Sequence, residues 1–180
     1  MSENPISHTP IFYACIPETP DGPPFEIAWA APALETPGVT CESRLIRPPP
    51  SWAPALIDDP SALSFYGLNF SDLQRFGVST RALAVDMNEA LAGRELFSAT
   101  TADDAHIRRI FDAAKTPPQF ALRKTDADAL IAELAQLRRT PPKTLARAKR
   151  EAEVMCLTGV RAEAKARYLA TYWRFVAGVN

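Results

Sequence analysis

The hydrophobic pattern near the N-terminus predicts strands. Two apolar runs, residues 11–16 and 25–30, stand on either side of a turn, residues 17–24, that contains four prolines and one glycine. Short apolar runs bounded by turn formers are typical of buried strands. A third run, residues 39–46, carries β-branched side chains and is stopped by Arg47 and three prolines, which cannot donate to a sheet ladder. We therefore expect three consecutive antiparallel strands at the start of a central sheet.

The rest of the chain is dominated by helical periodicity. Apolar residues at three- and four-residue spacing, with capping residues and glycines between the segments, predict helices over residues 73–76, 81–91, 101–114, 126–137, 145–157 and 160–176. Two short apolar segments, residues 94–98 and 119–122, predict a fourth and a fifth strand. Residues 51–69 show no regular pattern and are expected to form a loop.

This order of elements predicts one α/β domain over residues 1–180. Its core is expected to be a mixed five-stranded sheet, antiparallel in its first three strands and flanked by helices. Residues 1–9 are expected to be a flexible N-terminus.

Composition narrows the class of protein. A hydrophobic fraction of 47% and a charged fraction of 23% are ordinary for a globular protein, and no apolar run approaches the roughly 18 residues of a membrane span. The first ten residues lack the pattern of a signal peptide. We expect a cytoplasmic protein with no membrane association.

The cysteines and histidines predict neither a disulfide framework nor a zinc site. The three cysteines lie far apart, and Cys15 and Cys41 stand in strand-like runs, where small core residues are expected. His8 falls in the N-terminal segment, and His106 is expected on a helix surface. Neither histidine stands near a cluster of ligand residues.

Positive charge is concentrated in the C-terminal third. The net charge of the chain is −1, but residues 138–174 contain ten basic and only three acidic residues. Such a segment can face a polyanion, or it can simply form solvated helix surfaces.

Five local strings resemble, in their order and spacing, the DEDDh 3′–5′ exonucleases, the group that includes the proofreading exonucleases and ribonuclease T. They are FEIAWA at residues 25–30, LIRP at 45–48, FYGLN at 65–69, LAGRELFS at 91–98 and RAEA at 161–164. The resemblance implies a ribonuclease H-like fold. It also implies an active site in which four carboxylates hold two Mg²⁺ or Mn²⁺ ions and a histidine acts as general base.

The positions that match the first catalytic motif of this family carry no metal ligands. In the preferred register its Asp and Glu fall on Ala14 and Ile16, whereas Mg²⁺ requires oxygen ligands. A second register places them on Ile16 and Glu18. The second-motif Asp falls on Asp103 or Asp104, with Asp103 favoured by the apolar spacing that follows it.

The third motif is also altered. Its histidine falls on Val160 and its Asp on Lys165, and a further histidine of the family is replaced by Tyr66. We therefore expect no catalysis and no bound metal cofactor, with Glu18 and Asp103 as weak metal candidates. A related hypothesis is that Lys165 pairs with Asp103 or Asp104 and stabilises the former site in place of a metal.

Three functions remain open at this point. The first is a noncatalytic module that binds single-stranded DNA or RNA, or its 3′ end, by base stacking and phosphate contacts. The second is a regulatory scaffold that binds a protein partner or forms a homodimer, and the third is a weak metal-dependent exonuclease that uses Glu18, Glu26 or Asp103. The nucleic-acid candidates are Phe65, Tyr66, Arg138, Arg139, Lys149, Arg150 and Arg161; Trp52 and Trp173 are expected to pack in the core.

Overall fold

The computed structural model describes residues 9–33, 38–100, 102–156 and 159–178. Its strands are β1 (Ile11–Pro17), β2 (Pro24–Pro32), β3 (Val39–Arg47), β4 (Val78–Ser79), β5 (Glu95–Ser98) and β6 (Ala121–Leu122). Its helices are α1 (Ala53–Asp58), α2 (Ser61–Phe65), α3 (Phe70–Phe76), α4 (Thr80–Leu91), α5 (Ala102–Ala114), α6 (Ala127–Leu137), α7 (Pro142–Cys156) and α8 (Ala162–Ala177).

The strands form one mixed sheet in the order β4-β3-β2-β1-β5-β6. β1, β2 and β3 are antiparallel neighbours, as the sequence predicts. β5 lies parallel to β1 and β6 parallel to β5. Helix α5 is the crossover between β5 and β6, whereas the connection from β1 to β5 passes through β2, β3, β4 and the helices α1–α4. The middle strands, β1 and β2, are buried on both faces and are therefore apolar over almost their whole length.

Helices cover both faces of this sheet. On one face α8 packs across β1, β2 and β3, and α6 and α7 pack against α8. On the other face α4 and α5 pack together against β3 and β1. The alternation of side chains along β1 sends Phe12 and Ile16 towards α8, and Tyr13 and Cys15 towards α4 and α5.

The sheet has six strands, so the prediction of five is wrong by one. The missed strand, β4, has only two residues and pairs with Ile46 and Arg47 at the end of β3. Gly77 permits this approach, since a Cβ there would lie 2.3 Å from the Leu73 carbonyl oxygen and 2.5 Å from the Arg47 nitrogen. Two residues carry no periodicity, and the strand exists because β3 supplies the partner.

The prediction of a loop over residues 51–69 is also wrong. This segment contains the short helices α1 and α2, which bury Leu56 and Leu63. Neither helix has a side-chain cap at its N-terminus, and each spans less than two turns. Their stability comes from the buried leucines rather than from a local sequence signal.

The six predicted helices are present, with ends shifted by one to three residues at most. α3 begins three residues earlier than predicted because Asn69 and Asp72 form a capping box of two hydrogen bonds, 3.0 and 2.9 Å long. Ser79 and Asp126 cap α4 and α6 in the same way through one hydrogen bond each.

Some of the remaining predictions about individual residues are confirmed and one is wrong. Cys15 and Trp173 are buried, as predicted, but His106 is 4% exposed, so its expected place on a helix surface is wrong. Burial and the nearby Arg109 guanidinium lower the pKa of His106, which therefore stays neutral in the core.

Residues 1–8, including His8, lie outside the described residues, and the Thr9 carbonyl accepts a hydrogen bond from Arg94. None of the described helices combines the length and the apolar character that crossing a membrane requires.

Candidate functional site

The candidate site lies at the carboxyl end of β1. Parallel pairing of β1 with β5 ends at Tyr13 and Ser98, where the chain leaves β5 for α5. The rest of β1 continues alongside β2 alone, so its free edge faces the first turn of α5. In open α/β sheets ligands bind outside the carboxyl ends of parallel strands. We use the word crevice for this region, which is bounded by the end of β1 and the first turns of α5 and α8.

The first-motif positions in this crevice are apolar and closed to solvent. Ala14 is 2% and Ile16 1% exposed, and they share the face of β1 that is covered by α8. Neither side chain offers an oxygen ligand. Among the described residues there is no cluster of three His, Cys, Asp or Glu side chains arranged to hold a metal ion. The residues present therefore do not fit a two-metal centre.

Glu18, the carboxylate of the second register, belongs to the turn between β1 and β2. Its backbone N–H donates to the Pro23 carbonyl at 3.1 Å, and its Oε2 lies 2.6 Å from the place of a Cβ on Gly22. The carboxylate is folded over its own turn, and the Thr19 backbone nitrogen, 2.7 Å from the place of that Cβ, explains why residue 22 is glycine.

Asp103 is the predicted acidic residue that the structure brings to the crevice. It lies in the first turn of α5, and burial raises the pKa of its carboxyl group to about 6. The Cys15 backbone amide and the Lys165 ammonium group oppose this rise, while the neighbouring Asp104 adds to it. Lys165, from α8, is close enough to influence Asp103, but it forms none of the ion pairs within 4 Å found among the described residues.

Asp104, the alternative second-motif residue, forms a hydrogen bond with a side chain of β1. Its Oδ1 accepts a hydrogen bond of 2.5 Å from the hydroxyl of Tyr13, which is fully buried. Burial raises the pKa of Tyr13 strongly, and the hydrogen bond to Asp104 raises it further. The bond satisfies a phenol that would otherwise be buried without a partner.

An ion pair closes the opposite side of the crevice. Arg161, just before the first residue of α8, donates from Nε to Oε2 of Glu26 at 2.7 Å. The Glu26 side chain is only 4% exposed and that of Arg161 is 36% exposed. Glu26 pairs with Ile16 across β1 and β2, so the guanidinium group lies beside the first-motif face.

The third-motif positions stand around this pair. Val160, which matches the histidine of the family, is 48% exposed and cannot exchange a proton. Lys165 follows on the first turn of α8 and adds a second cation. The start of α8 therefore carries two basic side chains, and one of them, Lys165, stands at a position where the resemblance implies a metal ligand.

Aromatic side chains lead from this crevice to the surface. The ring of Tyr66 packs edge-on against Phe25, the neighbour of Glu26, with ring centroids 5.6 Å apart. Phe65 contacts Tyr66 edge-on at 5.0 Å and is itself 70% exposed. Phe65, Tyr66 and Arg161 are thus nucleic-acid candidates that the structure brings to one end of the sheet.

The other basic candidates lie elsewhere. An Arg138 guanidinium nitrogen lies 3.3 Å from the place of a Cβ on Gly178, at the carboxyl end of α8. Arg150 lines a groove with Phe175 near the same end. α8 has 16 residues, or roughly 24 Å, so these cations are far from the crevice. Arg139 and Lys149, their chain neighbours, are exposed at the same end.

Comparison with known proteins identifies the fold. No protein-family model matches the chain, and no curated protein matches it. A structure of exonuclease I matches 94% of this chain with a TM-score of 0.61 and 16% identity, and E. coli exonuclease I in complex with a dT13 oligonucleotide matches 71% with 0.52 and 18%. Exonuclease X in complex with 5′ overhanging duplex DNA matches 94% with 0.50 and 13%.

The share of each structure's length that this chain covers differs. It spans 40% and 30% of the two exonuclease I chains but 91% of the exonuclease X chain. The chain therefore has the α/β fold of these exonucleases, and the expected exonuclease-like architecture is confirmed.

The sequence held a signal for the ion pair of Glu26 and Arg161, which the motifs did not predict. Glu26 is the single charged residue in β2, a strand otherwise made of apolar residues and prolines. A lone carboxylate in a strand buried on both faces requires a partner. The partner, Arg161, is separated from it by 135 positions, so only the fold reveals the pair.

Proposed function

We propose that this chain is a catalytically inactive relative of the DEDDh exonucleases that binds single-stranded nucleic acid at the carboxyl end of β1. The observation that carries the proposal is the arrangement around Arg161. The partly exposed guanidinium group of Arg161 lies in the crevice. The exposed ring of Phe65 contacts Tyr66, whose ring contacts Phe25 on the neighbouring strand β2.

The absence of catalysis is supported by the charge of the site. Two-metal hydrolysis uses bound ions to activate water and to neutralise the scissile phosphate. Here Ala14 and Ile16 provide no ligand, Glu26 is bound to Arg161, and Lys165 faces Asp103. Positive side chains in this crevice repel metal ions, yet they attract phosphate.

Nucleic-acid binding is supported by the exposed groups. The hydrogen bond to Glu26 uses Nε of Arg161, which leaves the terminal nitrogens of the guanidinium group available for phosphate oxygens. Phe65 offers a face for base stacking, which contributes about 1–3 kcal/mol per base to single-strand binding. The structures of exonucleases I and X with bound DNA show that the same fold accommodates nucleic acid in those proteins.

Fluorescence anisotropy with labelled oligo-dT and oligo-rU of about 15 nucleotides tests the binding. We expect affinity that falls steeply between low and moderate salt. Phe65→Ala should weaken binding about tenfold. The matched control is Phe76→Ala, since Phe76 is also 60% exposed at the end of a short helix but stacks with Arg75 instead.

The same preparation answers the question of catalysis. Incubation of a 3′-labelled strand with Mn²⁺ or Mg²⁺ should leave it intact, with and without chelator. Metal-dependent shortening of the strand would replace the proposal by the residual-nuclease alternative. If no oligonucleotide binds at low salt, or if Phe65→Ala and Phe76→Ala behave alike, the scaffold alternative takes its place.

A further inference from the structure

A groove between α7 and α8 lies apart from the crevice. It has a volume of about 290 Å³ and is lined by Arg150, Glu151, Val154 and Met155 of α7 and by Phe175 of α8. Phe175 is close to the carboxyl end of α8, whereas Arg161 stands at its start. The groove is therefore independent of the proposed nucleic-acid site.

Two large apolar side chains of α7, Val154 and Met155, line this groove and are not packed in the core. α7 packs on α8 through two buried alanines, Ala148 and Ala152, one helical turn apart. Val154 is 79% and Met155 62% exposed. Single exposed apolar residues are ordinary, but two adjacent ones that line a concave surface with an aromatic ring indicate a docking site.

The rim of the groove, formed by α7 and the end of α8, belongs to helices with more basic than acidic side chains. Four exposed basic residues lie on α7, and Arg174 of α8 stacks on the Phe175 ring with its guanidinium carbon 5.2 Å from the ring centroid. One of the two acidic residues on α7, Glu151, forms an ion pair with Arg147, in which Oε1 and Nε are 2.6 Å apart. The rim therefore favours an acidic partner.

We propose that this groove binds an acidic amphipathic helix of a partner protein. A groove between two packed helices accepts a third helix, whose apolar residues at i, i+3, i+4 and i+7 contact Val154, Met155 and Phe175. The acidic flanks of that helix then face Arg150 and Arg174.

Two other occupants fit the groove less well, one because of its charge and the other because of the apolar floor. A symmetric dimer through this surface would place the same basic rim of each copy against the other, which is repulsive. Nucleic acid would satisfy the rim but would bury Val154 and Met155 against phosphates and sugars, which leaves the apolar floor without apolar contacts.

A pair of designed peptides tests the proposal. Both are helix-stabilised by a side-chain lactam and fluorescein-labelled, with leucines at i, i+3, i+4 and i+7; one has Glu at the flanking positions and its twin has Lys. The Glu peptide should bind at least about tenfold more tightly at low salt. Val154→Glu and Met155→Glu should each weaken its binding about tenfold.

Val85→Glu is the matched control, because Val85 is 46% exposed on α4, on the other side of the sheet. This variant should bind the Glu peptide like the unchanged protein. Circular dichroism establishes that each variant is folded.

Three results would overturn the proposal. The first is equal binding of the two peptides, and the second is loss of binding in Val85→Glu as large as in Val154→Glu. The third is a different occupant: displacement of the Glu peptide by oligo-dT, or a dimer in sedimentation equilibrium that Val154→Glu abolishes.

Discussion

The two ends of α8 use positive charge in opposite ways. At the amino end, Arg161 contacts the buried carboxylate of Glu26 and joins the helix to the sheet. At the carboxyl end, Arg174 stacks on Phe175 and forms none of the ion pairs found in the described part of the chain. The first end neutralises charge inside the protein, and the second presents charge to the outside.

This difference shows that the basic surplus of residues 138–174 is not one surface. Sequence proximity groups ten cations, but α8 separates them over roughly 24 Å into two sets with different surroundings. In the two proposals above, the crevice set contacts phosphate and the groove set contacts a protein. The following predictions test this separation.

The largest effect is expected when carboxylates are introduced at the two first-motif positions of β1. The double variant Ala14→Asp/Ile16→Glu should lower the free energy of unfolding by about 3 kcal/mol or more, because two charges enter fully buried positions and residue 16 faces Glu26 across the strands. Urea denaturation with and without Mn²⁺ measures this effect. No nuclease activity should appear, since Val160 and Lys165 remain.

The neutral variant Ala14→Asn/Ile16→Gln is the control for side-chain size and should be less damaging. If Mn²⁺ instead stabilised the Asp/Glu variant and metal-dependent hydrolysis appeared, the amino end of α8 would not exclude metal ions as inferred.

The second effect concerns the ion pair itself. Arg161→Ala should lower the free energy of unfolding by roughly 2–4 kcal/mol, because Glu26 is left buried without a partner. Urea denaturation measures the loss, and a second substitution, Glu26→Gln, should restore much of it. Arg167→Ala is the control on the same helix. Its pair with Glu163 is nearly half exposed on both sides, so its loss should be about 0.5 kcal/mol or less.

Much of the fold was predictable because its elements are long and periodic. The apolar runs of β1 and β2 need no partner to be recognised, and the capped helices α4 and α6 begin within one residue of their predicted starts. By contrast, β4, α1 and α2 are too short to have a period of their own. Their conformations are set by the strand and the core against which they pack.

The site was predictable only in its local parts. Strand alternation and motif spacing identify Ala14, Ile16 and Asp103 as candidate site positions from the sequence alone. The pairing of Glu26 with Arg161 and of Tyr13 with Asp104 depends on contacts between positions 135 and 91 apart. His106 was misplaced for the same reason, since helical spacing alone does not show that this side of α5 is covered by other elements.

The third effect is a pH dependence that arises at Asp103. Its pKa is raised from 3.8 to about 6 in the folded protein, so the folded state binds more protons than the unfolded state between these values. Stability should therefore fall as the pH rises from about 4 to 6 and stay lower above that range, by roughly 2 kcal/mol. Asp103→Asn should remove this loss, and the variant should be more stable than the unchanged protein at pH 7.5 but not at pH 4.

Urea denaturation at the two pH values measures the difference between the two proteins, which cancels the contribution of His106. Asp112→Asn, an exposed position on the same helix, is the control. A gain from Asp103→Asn that is equal at pH 4 and pH 7.5 would show that burial of the charge is not its origin.

The smallest effect on stability is expected at the carboxyl end of α8. The double variant Lys149→Ala/Arg150→Ala removes two exposed cations of α7 that form none of the ion pairs identified in the described residues, so the free energy of unfolding should change by at most about 0.5 kcal/mol. Binding of the Glu peptide should nevertheless weaken about threefold and lose part of its salt dependence, because the rim attracts the acidic flanks. Urea denaturation and anisotropy measure the two quantities on the same protein. If the double variant lost as much stability as Arg161→Ala, both ends of α8 would neutralise internal charge, and the distinction between them would fail.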